Sequence, residues 1–172
     1  GYEAATAPSS SNKTAIGWAL GGLASACAAV LAFFVLLPPT EIEFTNATAG
    51  DIERAITLAD GSDVNLQPGS EIAYAIGDEQ REVQLLSGAA RFSVQSAETP
   101  FTVATEEIDI VVTGTEFTVT RGDTAIGIEL HEGEIELSVL DEYQATLSAG
   151  NRAIYDRRKR HLEVLRRPLN NG

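Results

Sequence analysis

The chain has 172 residues, a formal net charge of −13 and one cysteine, Cys27. One thiol excludes an intrachain disulfide framework and a cysteine metal site, and an acidic surface repels nucleic acid and anionic lipid headgroups, so nucleic acid is not an expected partner. The charge is unevenly placed: residues 1–156 carry −18, whereas residues 157–172 carry +5.

Residues 1–14 read as a short cytoplasmic tail, truncated because the chain begins with Gly rather than Met. From Ala15 to Leu37 there is no Asp, Glu, Lys, Arg, His, Asn or Gln. A helix of that length rises about 34 Å, enough to span a hydrocarbon core of about 30 Å with modest tilt. A cleavable signal peptide and a lipoprotein acylated at Cys27 are competing readings. The first has a shorter apolar region, and the second places Ala24 where a larger aliphatic is usual. Pro38 and Pro39 end the helix, because neither ring continues the hydrogen-bond ladder. Lys13 lies on one flank, and Glu41, Glu43, Asp51 and Glu53 precede Arg54 on the other. That asymmetry predicts a cytoplasmic amino terminus and an exported carboxyl-terminal part. Gly17, Gly21, Ser25 and Ala29 recur every fourth residue, a small-residue ridge that would let a second helix approach.

Residues 38–49 read as a juxtamembrane linker, residues 50–168 as one exported β domain and residues 169–172 as the chain's end. Short β-branched segments alternate with Gly-centred turns: Asp60-Gly61, Pro68-Gly69, Gly77-Asp78, Ser87-Gly88, Gly114, Gly122-Asp123, Glu132-Gly133 and Ala149-Gly150. Turn signals every ~8–12 residues without a helical period predict an all-β domain. Period two is plain in Ile126, Ile128 and Leu130, and again in Ile135, Leu137 and Val139, the signature of half-buried antiparallel or solenoid-like strands. Residues 85–94 and 130–139 share a loose pattern of apolar residues, X-Gly and an alternating strand. This predicts a strand, a tight Gly turn and an outgoing strand in each, within a rolled, solenoid-like stack. Residues 155–168 read as a closing hairpin with a basic turn.

No residue is assigned a catalytic, cofactor-binding or metal-binding role. His131 and His161 are isolated, and His131-Glu132-Gly133-Glu134 lacks the second histidine of a cupin metal motif. Asp60-Gly61-Ser62-Asp63 lacks the ligand ladder of a calcium loop and reads as a hairpin turn. Arg157, Arg158, Lys159 and Arg160 form the one unusual charge run outside the apolar segment. Either it is a solvated turn, or it is an electrostatic latch to the domain's own acidic body or to an acidic partner.

Six segments in order, LADGSDVNL (58–66), VQLLSGAARFSV (83–94), PFTV (100–103), VVTGTEFTV (111–119), IELHEGEIELSV (128–139) and LSAGNRAIY (147–155), resemble the FecR domain. The sharpest is Gly114-Thr115-Glu116-Phe117. The resemblance covers roughly residues 48–156 and implies a non-enzymatic, single-pass inner-membrane regulator of Gram-negative bacteria. Its implied partners are an extracytoplasmic-function sigma factor on the cytoplasmic side, held through a region upstream of Gly1, and the signalling domain of a TonB-dependent outer-membrane transducer in the periplasm. The transducer takes up an iron siderophore or a glycan, and site-specific proteases then release the output. Fourteen residues ahead of the anchor are too few for a folded sigma-binding region, and no short secretin/TonB-type module follows the β domain. A membrane-tethered periplasmic β module with a scaffold or ligand-binding role and no sigma-factor output is the alternative.

Overall fold

The computed structural model describes residues 43–166. The apolar run 15–37 and its candidate contact residues Gly17, Gly21, Ser25 and Ala29 lie outside them. Among the described residues, no helix is long and apolar enough to cross a membrane.

Among the described residues thirteen strands follow one another: β1 Thr45–Thr48, β2 Arg54–Thr57, β3 Asp63–Leu66, β4 Glu71–Ile76, β5 Arg81–Ser93, β6 Phe101–Ala104, β7 Ile108–Val112, β8 Glu116–Arg121, β9 Ala125–Glu132, β10 Glu134–Val139, β11 Tyr143–Ser148, β12 Arg152–Asp156 and β13 His161–Leu165. Alternation sets their faces. In β7, Ile108, Ile110 and Val112 are buried while Asp109 and Val111 face outward, as a period of two requires. β1 lies inside the stretch read as linker: Thr45–Thr48 pairs with β4, and Ala47 is buried.

The strands form two sheets that share β5. Sheet I runs β1-β4-β5-β6-β7-β10-β11, and sheet II runs β2-β3-β5-β8-β9-β12-β13. The first half of β5 pairs with β4 and β6, and its second half with β3 and β8. Every pairing is antiparallel except β5 with β6. The inner faces meet in one core. Phe92 of sheet II stacks on its cross-strand partner Phe117 at 5.1 Å and meets Phe101 of sheet I edge-on at 6.5 Å. Such aromatic pairs add about 0.5–1.5 kcal/mol beyond the area they bury.

The chain passes between the sheets at two rows of corners. One row contains Ala49-Gly50, Gly69-Ser70 and Gly88, joined by hydrogen bonds from Gly69 N–H to Ala49 O and from Ala49 N–H to Ser70 O. The other contains Gly114, Gly133 and Ala149-Gly150. There Ala149 N–H donates to Gly133 O at 3.1 Å, and a Cβ on Gly133 would lie 2.6 Å from Thr115 Cγ2. Gly50, Gly69 and Gly88 are spaced by nineteen residues, as are Gly114 and Gly133; each interval holds one hairpin. The rolled all-β domain is therefore present, but it is built from antiparallel hairpins placed alternately on two sheets, not from a parallel coil. The expected tight turns at Gly88 and Gly133 are corrected. Neither closes a hairpin; each lets a strand fold from one sheet into the other, at φ of 78° and 89°, values that favour glycine.

Opposite each row of corners, arginine–carboxylate pairs close the gap between the sheets. In the amino-terminal half Arg81, only 3% exposed, pairs with Asp60 at 2.8 Å. Its guanidinium also donates to Thr99 O and Gln95 O and lies 5.2 Å from the Phe101 ring centroid. Burial alone would raise the Asp60 carboxyl. Hydrogen bonds from Ser62 and Arg81, together with the Arg81 charge, outweigh it and hold Asp60 below its ordinary range. In the carboxyl-terminal half, Arg121 pairs with Glu106 at 3.0 Å and Arg157 with Glu107 at 2.9 Å.

Candidate partner-binding surface

The basic run occupies the β12–β13 turn, and its four side chains divide. Arg157 turns onto the domain: it pairs with Glu107, Nη2 donates to Glu107 Oε2 at 3.1 Å, and its N–H donates to Thr124 O at 3.0 Å. Lys159 pairs with Asp156 at 3.3 Å. Asp156 Oδ1 also accepts from the Arg158 and Lys159 N–H groups, and the Lys159 N–H above all draws this carboxyl below its ordinary range. Arg158 and Arg160 are exposed and have no ion pair among the described residues. One basic residue thus latches the domain to itself, while two present free positive charge at one end of β13.

β13 is the last strand of sheet II and, among the described residues, pairs only with β12, which leaves its other backbone edge open among them. Val164 and Leu165 are 38% and 39% exposed. An open edge can add a strand from a partner through main-chain hydrogen bonds.

Beside this edge the outer face of sheet II is grooved. The rows Thr118–Glu129–Arg152–Leu165 and Thr120–Gly127–Ile154–Glu163 cross it in register. Gly127 contributes no side chain, and a Cβ there would touch only Thr120 Cβ, at 4.0 Å. The resulting trough of about 350 Å³ shares Glu129 and Arg152 with a second depression of about 560 Å³ that reaches Leu130, His131, Gly150, Leu165 and Arg166. His131 is the extra residue of a bulge, because Phe117 pairs with Leu130 and Glu116 with Glu132. The bulge aims the imidazole across the strands, where Nε2 lies 2.9 Å from Thr118 Oγ1. The groove therefore offers two arginines, one carboxylate and hydroxyls beside a free strand edge, a set suited to holding an extended polar segment.

Sequence reasoning located Arg157, Arg158, Lys159 and Arg160 but not Arg152, His131, Gly127 or Leu165. A glycine at the outward position between Ile126 and Ile128 was the available signal. Among the described residues no three or more His, Cys, Asp or Glu side chains are grouped to hold a metal ion. Asp60 does not serve a calcium loop: Oδ2 is engaged by Ser62 Oγ and Arg81 Nε, and Oδ1 by the Ser62 N–H.

The model of the family described as FecR protein matches residues 45–136, more than half of the chain. The chain belongs to the FecR family. Domains of this family are regulatory, non-catalytic modules. The family match spans β1 to the middle of β10, so the basic turn and β13 lie beyond it. Two crystal structures of a "putative anti-sigma factor" from Parabacteroides distasonis, at 2.50 and 1.65 Å resolution, share the fold with a TM-score of 0.66 and 24% identity. The alignments cover 72% and 71% of this chain and 60% and 59% of those proteins; the chain thus spans about three fifths of their length. No curated protein matches.

Proposed function

We propose that this FecR-family chain is part of a single-pass inner-membrane regulator of an extracytoplasmic-function sigma factor, with its β domain in the periplasm. The β domain receives the signal of a TonB-dependent outer-membrane transducer. The observation that carries this reading is the order of parts in one chain: an apolar run of spanning length stands directly ahead of a FecR domain. The crystal structures of similar fold, described as an anti-sigma factor, support the same assignment. The receiving surface is the open β13 edge and adjoining groove, with Arg158 and Arg160 steering an acidic segment toward it. The output follows when a protease cuts the stretch between Pro39 and the start of β1.

Affinity capture of the full-length protein from its native membrane, with identification of bound proteins, tests this. Recovery of a sigma factor that depends on residues upstream of Gly1 supports the regulator. Recovery of envelope proteins alone moves the assignment to a tethered periplasmic module.

A further inference from the structure

Among the described residues each sheet has two outer strands: β1 and β11 on sheet I, β2 and β13 on sheet II. Exposed edges invite pairing, and proteins blunt them with brevity, charge, proline or bulges. β1 and β2 have four residues each, and β13, the edge assigned to the transducer, has five and carries Glu163, which opposes pairing with a second copy of itself while leaving the edge to a different partner. β11 differs. It has six residues, Tyr143-Gln144-Ala145-Thr146-Leu147-Ser148, with no charge and no proline, and pairs with β10 in an unbroken register from Ser148 to Tyr143. Tyr143 at its start is 54% exposed.

We propose that β11 is a homotypic interaction edge, pairing antiparallel with β11 of a second copy about a two-fold axis at Ala145. Sheet periodicity supports this register. Inward-facing Leu147 is buried and Ala145 half-buried, while Gln144, Thr146 and Ser148 face outward, so inward residues must meet inward residues. Centring on Ala145 satisfies this and sets Tyr143 against Leu147 of the second copy twice, an aromatic–aliphatic cross-strand pair. It also sets Gln144 against Thr146. The nearest acids, Asp141 and Glu142, fall opposite Ala149 and Ser148, so no like charges face each other despite the net charge of −13. A two-fold interface requires such self-complementarity, and the uncharged β11 supplies it. This edge is separate from the β13 surface assigned to the transducer.

The test uses the full chain in membranes with Cys27→Ser, leaving no native thiol, and a single Ala145→Cys. Residues on the axis have Cβ atoms about 4.5–5.5 Å apart, close to disulfide range, so mild oxidation should give a dimer on a non-reducing gel. Ala55→Cys, on the β2 edge, should give none. Thr146 is exposed, so Thr146→Lys should leave the unfolding transition intact while cutting the Ala145→Cys dimer about tenfold, as edge lysines oppose pairing. A dimer no stronger than the Ala55→Cys control overturns the proposal. So does a dimer unmoved by Thr146→Lys, which would place the contact elsewhere, including the apolar run.

Discussion

The Ser70 hydroxyl occupies the space into which a side chain on Gly88 would project. A Cβ there would stand 2.3 Å from Ser70 Oγ and 2.8 Å from Ser70 Cα. From that position Ser70 Oγ donates to Ala89 O at 2.9 Å and accepts from Ala89 N–H at 2.8 Å. It thus clamps β5 where the strand folds from sheet I into sheet II. Because backbone as well as side chain blocks the space, Gly88→Ala should destabilise the domain by about 2–4 kcal/mol, combining a left-handed φ with overpacking. Ser70→Ala should cost about 1–3 kcal/mol by leaving the Ala89 N–H without its partner. Urea unfolding midpoints of the two variants measure both.

Arg81 ties the β2–β3 turn to the β5–β6 connection through Asp60, Gln95 and Thr99. Arg81→Met should destabilise by about 3–5 kcal/mol, the usual result of leaving one member of a buried pair without its partner. Arg81→Met combined with Asp60→Asn should recover part of the loss. A thermal-melt double-mutant cycle reports the coupling; additive losses would rule out the pair as the tie.

Asp60 and Asp109 pull stability in opposite directions with pH. The Asp60 carboxyl is lowered in the fold, so its contribution is present above its unfolded value near 3.8 and is lost as pH falls through the lower folded value. Asp60→Asn should flatten the acid limb of a stability–pH curve below pH 4. Asp109 is raised, first by burial and then by Asp141 and Glu82. Its contribution is present below about 3.8 and lost as pH rises through the higher folded value. Asp109→Asn should therefore raise the melting temperature at pH 7, with the advantage disappearing in acid.

The basic turn should separate into stability and binding. Arg157→Ala breaks a partly buried pair with Glu107 and should cost about 1–3 kcal/mol. Arg158→Glu with Arg160→Glu removes no ion pair among the described residues and should leave the melt within about 0.5 kcal/mol. The same double variant should weaken transducer binding at low salt, with the deficit shrinking as salt screens it. A binding isotherm insensitive to the double variant would remove these arginines from the interface.

Much of the strand content was legible in local pattern. From β2 to β12 every strand lies on a segment of β-branched or alternating residues, because burying one face of a sheet imposes period two wherever the strand sits. β1 escaped, since Thr45-Asn46-Ala47-Thr48 carries no large apolar residue and is strand only through β4. The glycines were legible as breaks but not as kinds of break. Asp60-Gly61, Gly77-Asp78 and Gly122-Asp123 close hairpins, whereas Gly50, although Asp51 follows it, and Gly69, Gly88, Gly114, Gly133 and Gly150 mark passages between sheets. At Gly88 the choice depends on Ser70, eighteen residues earlier in the chain, and no local window contains both.

By itself the sequence determined the class of the molecule: an apolar run of membrane-spanning length, then an acidic all-β FecR-family domain ending in a basic turn. These are properties of composition and short-range periodicity, which water and hydrocarbon read residue by residue. Tertiary structure alone decided that β5 serves two sheets and that Arg157 pairs with Glu107 while, among the described residues, Arg158 and Arg160 have no ion pair and β11 and β13 are outer strands. Each of these depends on which distant segment occupies the neighbouring position in a sheet, and hydrogen-bond partnership between strands is set by packing of the whole core.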